Sequence, residues 1–178
     1  FGTAGIYMTA SASYTLDMRD NIIVNVSTPG PTGGLTAAYR RSTTTLTSYS
    51  ANSDNNDLYA GIPSYNRVIF YDGTNADSVF SAYQTRVTPR DAASFTENPP
   101  FMNVSTVPYD LHLSVSVPTK CESGGIPISA PIAITNDYDN QTRNAVTPDV
   151  GADEGNFMLG LPSAPVLVSP PNGATGQL

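Results

Sequence analysis

The chain has 178 residues, with one cysteine, one histidine and no tryptophan. A lone Cys121 excludes an internal disulfide and any C-x-x-C redox or thiolate-metal motif. A lone His112 excludes a multi-histidine zinc site within the chain, and any Ser-His-Asp or Cys-His arrangement has to use that one imidazole. Lys and Arg together number 8 against 15 Asp and Glu, for a formal net charge of −7. The basic residues form no stripe, which argues against nucleic acid, because phosphate binding needs clustered positive charge. No apolar run approaches the roughly 18 residues of a membrane span. Charged residues are only 13% of the chain, low for a helical globule.

Thr, Ser, Asn, Tyr, Gly and Pro are abundant instead, with 10 Tyr, 14 Gly and 15 Pro. This is the composition of a β-rich, turn-rich extracellular protein. Short β-prone runs recur between polar turns: IYMTA (6–10), YTLDM (14–18), NIIVNVS (21–27), LTAAYRR (35–41), TLTSYS (45–50), LYAG (58–61), RVIFYDG (67–73), PFMNVS (100–105), YDLHLSVSV (109–117) and PISAPIAIT (127–135). Their spacing, irregular at roughly 20–30 residues, lies in the range of stacked repeats. Asparagines at strand edges (21, 25, 55, 56, 66 and 103) suit turns that hydrogen-bond to counterparts one layer away. One helix is expected in NADSVFSAYQTRV, with Asp77 as N-cap, Val79, Phe80, Tyr83 and Val87 near one face, and Pro89 as the stop.

Several acidic stretches are candidate sites. PDVGADE (148–154) places Asp149, Asp153 and Glu154 around Gly151. Read catalytically, these are an acid/base pair. Read structurally, Gly151 turns the chain, the carboxylates cap backbone amides, and Arg143 pairs with Asp149 or Glu154. The structural reading is adopted, and no catalytic residue is assigned. Asp137, Asp139 and Asn140 have the D-x-D start of a calcium loop, but lack a glycine at the sixth position and a spaced glutamate. The reading adopted is a plain Asx-turn held by Arg143 with no cofactor, and calcium is the alternative. His112 lies on the Ser114 and Ser116 face of an alternating strand whose other face carries Leu111, Leu113, Val115 and Val117. Cys121 reads as a buried small residue. Tyr39, Arg40 and Arg41 form a candidate exposed binding patch, since a tyrosine ring stacks well on a sugar.

YDLHLSVSVPTKCESGGIPI, ITNDYDNQTR and PDVGADE, taken in order, resemble the C-terminal end of right-handed parallel β-helix proteins of bacterial cell surfaces, common in the Bacteroidetes. The likeness covers about residues 14–154. It departs from the family's S-P-x-I-D-x-G at VPTKCESGG, where Glu122 replaces Asp and Cys121 is unexpected, and Asn140 stands where the family has glycine. The tail APVLVSPPNGATGQ resembles the first strand of a fibronectin type III domain. The resemblance implies an all-β fold: a right-handed parallel β-helix over residues 1–160 with one short helical insertion and a capping segment, then a linker and truncated fibronectin-like start over 161–178. It implies a non-catalytic structural or binding module of a secreted, multidomain surface protein, adhesin-like or glycan-binding. Its partners would be surface glycans, other proteins and neighbouring domains of the same longer chain. A polysaccharide lyase or glycoside hydrolase on the same fold and a fibre or surface-layer subunit are the alternatives.

Overall fold

The computed structural model describes residues 2–11, 13–30 and 32–160. The β-branched and aromatic runs form short strands: β1 (Thr3–Met8), β2 (Ile22–Val24), β3 (Thr36–Arg41), β4 (Asp57–Tyr59), β5 (Arg67–Tyr71), β6 (Ala76–Asp77), β7 (Phe101–Asn103) and β8 (Asp110–Leu113). The single helix among the described residues, α1 (Phe80–Val87), lies between β6 and β7. Strands β1, β3 and β5 pair in parallel, in register Thr3 with Thr36 and Thr36 with Arg67. Strand β6 turns back antiparallel on β5, Phe70 opposite Asp77. Strands β2 and β4 form a two-stranded parallel sheet, and β7 and β8 an antiparallel pair. No helix among the described residues is long and apolar enough to cross a membrane.

The expected right-handed parallel β-helix does not form. The strands make three separate small sheets and most of the described chain is coil, with no closed or solenoid sheet. Two features break the stack. The return of β6 on β5 and the β7–β8 pair are antiparallel, where a parallel coil would continue in one sense. In addition, turn side chains claim amides that an inter-coil ladder would need. Asp72 accepts from the Thr74 and Asn75 amides, and Asn103 from those of Ser105 and Thr106. Of the expected strands, YTLDM and TLTSYS contribute only the isolated bridge Leu16–Tyr49, and PISAPIAIT forms none. One edge asparagine pair does meet, Asn21 Nδ2 donating to Asn56 Oδ1 at 3.0 Å. The fibronectin-like tail lies outside the described residues.

The larger core gathers Met8, Met18, Ile23, Tyr39, Tyr49, Leu58, Phe70, Tyr83 and Val87. Its centre is a tilted aromatic stack, with centroids 5.2 Å apart for Tyr39–Tyr49, 5.4 Å for Tyr39–Phe70 and 5.2 Å for Phe70–Tyr83. Helix α1 supplies Tyr83 and Val87 from one face, as its spacing predicts. Its start differs from expectation. Val79 occupies the N-cap position without a side-chain bond, and Asp77 instead pairs with Arg86. The carboxylate is drawn to a guanidinium, a stronger partner than a single amide. A smaller core of Leu113, Cys121, Val150 and Phe157, with Ile22, Phe95 and Phe101 against it, supports the second half.

The buried tyrosines need partners for their hydroxyls, and one residue answers several of them. Asp91 is fully buried with φ 52°, a left-handed backbone that Asp tolerates. Its Oδ2 accepts from the Tyr49 and Tyr83 hydroxyls, and its Oδ1 from Asn56 Nδ2 at 3.0 Å and Ser94 Oγ at 2.7 Å. Burial first, and the Asp91 charge with it, holds both phenols above the usual tyrosine range. Arg41, also fully buried, donates to Tyr39 Oη at 2.8 Å, Thr45 O at 2.9 Å and Ser48 Oγ at 3.0 Å. Asp91→Ala strands four donors at once, each left bare at a cost of about 1–3 kcal/mol. Urea unfolding is expected to show a loss of about 3–5 kcal/mol for Asp91→Ala. Tyr83→Phe, which removes one hydroxyl and leaves its acceptor other partners, should lose about 1 kcal/mol.

Candidate functional site

Strands β7 and β8 raise a short loop whose shape Asn103 fixes, its Nδ2 donating to Thr106 O at 2.8 Å and Pro108 O at 2.9 Å. The loop lifts Val107 and Tyr109 into solvent. Facing it across a groove of about 1240 Å³ stand Tyr138 and residues 151–153, with Ile22, Phe101 and Leu113 also lining it. Tyr138 is 83% exposed and Tyr109 64%, with Met102 and Leu111 also open. The long alternating strand expected here stops at Leu113. Leu111, Val115 and Val117 are exposed, so the apolar face predicted for it is not a core face.

At the groove His112 lies between two carboxylates. Its Nδ1 is 2.5 Å from Asp110 Oδ1 and its Nε2 is 2.6 Å from Asp139 Oδ2. Asp153 lies beside them, its ligand atom and those of His112 and Asp139 all within 4.8 Å of one another. Only an imidazolium has two N–H groups to give. The hydrogen bond to Asp110, then that to Asp139, raises His112 to about 9, and the same contact lowers Asp110. A histidine already protonated at neutral pH is no general base there. Asp110 and His112 stand at i and i+2 on one strand, so their shared face was readable from the sequence. Asp139 is distant in sequence and was not.

The PDVGADE carboxylates bind backbone. Asp149 Oδ1 accepts from Ser123 N at 2.6 Å and Oδ2 from Gly155 N at 2.9 Å. Glu154 accepts from Asn144 N at 2.9 Å and Asp149 N at 3.0 Å, and Asp153 Oδ2 from Leu113 N at 2.8 Å. Arg143 reaches Glu154 at 3.5 Å, but meets Asp149 through its backbone carbonyl, together with Gly151 O at 3.0 Å. Gly151 has φ 108°, and a Cβ there would lie 2.6 Å from Ile22 Cδ1, so this turn requires glycine.

The candidate calcium residues do not converge. Asp137 accepts from Gln141 N at 2.7 Å and Glu154 N at 3.0 Å, Asp139 turns to His112, and Asn140 holds a left-handed turn at φ 66°. The patch of Tyr39, Arg40 and Arg41 is not a surface. Tyr39 and Arg41, at i and i+2 on one face of β3, are fully buried, the Tyr39 ring against Tyr49 and Phe70, and Arg40 on the opposite face stacks over Tyr7 at 4.2 Å. A further cluster that the sequence reading missed joins Asp57, Glu97 and Cys121, drawn from three separate segments.

Two groups of titrations point the same way. Burial raises Asp20 and Asp149 to about 6, so the folded state keeps protons that the unfolded chain releases near pH 4. Their contribution is complete below that point and fades as pH rises through about 6. The His112 contribution is complete below about 6.5 and fades as pH rises through about 9. The urea midpoint is therefore expected to fall between pH 5 and pH 9. An NMR titration should place the His112 midpoint near 9, and Asp110→Asn or Asp139→Asn should move it down toward about 6.5.

Set beside protein-family models, curated proteins and solved structures, the chain matches none.

Proposed function

We propose that this chain is a non-catalytic binding module that holds a glycan in the groove between Tyr109 and Tyr138, on the outside of a cell. The observation that carries the reading is the pair of open tyrosine rings that line one groove next to hydrogen-bond acceptors. Sugar rings present apolar C–H faces that lie on an aromatic ring at little entropic cost. Their hydroxyls donate well to carboxylates. Asp110, Asp139 and Asp153 each hold a protein partner on one oxygen (Oδ1, Oδ2 and Oδ2) and offer the other as such an acceptor beside the groove. Three acids against one imidazolium leave the wall negative, which favours neutral or basic sugars over uronates and sulfated chains. The low cysteine count and the wealth of Thr, Ser, Asn and Tyr suit an exposed, extracellular surface. The bonding of the acids supports binding without turnover. One protonated histidine locks two of them, and the PDVGADE acids are occupied by backbone amides.

A glycan array followed by calorimetry on the strongest hits tests this. Tyr138→Ala and Tyr109→Ala should each weaken binding by about 2- to 12-fold, the loss of one stacked ring, with no change in melting temperature, since both rings are exposed. The bound oligosaccharide should be recovered intact after long incubation. Retention of no neutral glycan, or its cleavage, would refute the reading.

A further inference from the structure

We infer that Cys121, Asp57 and Glu97 form a binding site for a divalent transition-metal ion of the zinc type, separate from the groove and tying the two hydrophobic cores together. One ligand atom from each lies within 4.8 Å of the others. Cys121 Sγ stands 3.8 Å from Glu97 Oε1. A tetrahedral zinc ion, with Zn–S of about 2.3 Å and Zn–O of about 2.0–2.2 Å, holds such atoms roughly 3.5 Å apart. The Cys121–Glu97 pair is within about 0.3 Å of that spacing, and the Asp57 ligand atom, within 4.8 Å of both, closes on them as the ion binds.

Clustering alone would not distinguish a metal site from a packed acid pair. The separate observation is Asp57 Oδ2. Asp57 is fully buried, and this oxygen has no hydrogen-bond donor. Buried carboxylate oxygens without a donor are costly and rare. Its sister Oδ1 accepts from Glu97 N at 2.9 Å, which fixes the carboxylate and leaves Oδ2 for the ion.

The remaining contacts form the supporting shell that metal ligands need. Glu97 accepts from the Thr119 hydroxyl and from Lys120 N at 3.1 Å, and Cys121 N donates to Thr119 Oγ1 at 3.1 Å. Glu97 is partly exposed and Lys120 exposed, so the site has a route to solvent. Sulfur with two carboxylates selects a borderline ion such as zinc over calcium or magnesium, which take oxygen alone. Asp57 begins β4, beside Leu58 of the larger core, whereas Cys121 belongs to the smaller one. An ion here would join them.

Co²⁺ titrated into the reduced 178-residue chain is the decisive probe. One equivalent should give tetrahedral d–d absorption and a thiolate-to-cobalt charge-transfer band in the near ultraviolet. Zn²⁺ should displace it and raise the melting temperature. Cys121→Ser should abolish the charge-transfer band. Asp57→Asn, which removes a ligand and not a supporting contact, should weaken binding by about 100-fold or more, beyond what loss of an outer-shell partner costs. His112→Gln should leave the band unchanged, which separates this site from the groove acids. The wild-type spectrum decides by itself should a variant fail to fold. Absence of the thiolate band in the wild-type chain, or its persistence in Cys121→Ser, would overturn the assignment.

Discussion

The structure depends on carboxylates that accept hydrogen bonds from backbone amides. Most of the described chain lies outside helices and strands, so many of its N–H groups have no ladder to join and are met by turn and bridge carbonyls or by side chains. An unpaired buried amide costs as much as a lost hydrogen bond. Asp and Glu side chains meet this need across long sequence distances. Asp54 takes Ala93 N and Ser94 N, Asp20 takes Ile126 N, and Glu122 takes Phe157 N. Each contact joins a loop to a segment 35 or more residues away. In a chain with little regular structure these acids add long-range ties to the backbone–backbone bonds of its turns and bridges, which gives the negative net charge a structural role.

The aromatic core works by the same rule with different donors. Tyr39, Tyr49, Phe70 and Tyr83 fill the space between the parallel strands and α1, and three of the four carry a hydroxyl into the interior. A phenol is useful as bulk only when its oxygen is answered. Asp91 and Arg41 answer them from opposite ends, each fixed by several partners. Replacing either by a smaller neutral residue removes packing and polar contacts together, so the aromatic stack and the polar network stand or fall as one unit.

Much of the local structure was legible in the sequence, and the global arrangement was not. NIIVNVS, LTAAYRR and RVIFYDG carry β-branched and aromatic runs strong enough to name strands, and Tyr83 with Val87 marked the buried face of the helix. β1 pairs in parallel with β3 and β3 with β5, but the pairing does not continue into a solenoid. The continuous solenoid failed because the turns close on themselves, as Asp72 and Asn103 show, and short-range side-chain bonds of that kind leave no trace in apolar periodicity. Tyr39 and Arg41 were mistaken for surface because a Tyr-Arg-Arg run looks solvated. Only the packing of their face of β3 against Tyr49, Phe70 and Ser48 reveals that it is interior. Likewise Asp110 could be placed beside His112 by strand alternation, whereas Asp139, Asp57 and Glu97 come from segments with no local link to their partners.

The acids also divide by what they are bonded to, and that division locates chemistry in a chain without an obvious motif. Asp54, Asp72, Asp137, Asp149 and Glu154 bind backbone amides, and Asp77 and Arg86 neutralise each other. Carboxylates in such positions are committed: moving one onto a ligand would unpair an amide or a guanidinium. The exceptions are few. Asp139 meets a histidine at the edge of an open groove, and Asp57 keeps one oxygen without a donor against a cysteine and a glutamate. Function is therefore to be sought where a carboxylate oxygen is not needed by the backbone, and both such places lie at junctions between distant segments. There a bound sugar or ion adds a contact without taking one from the fold.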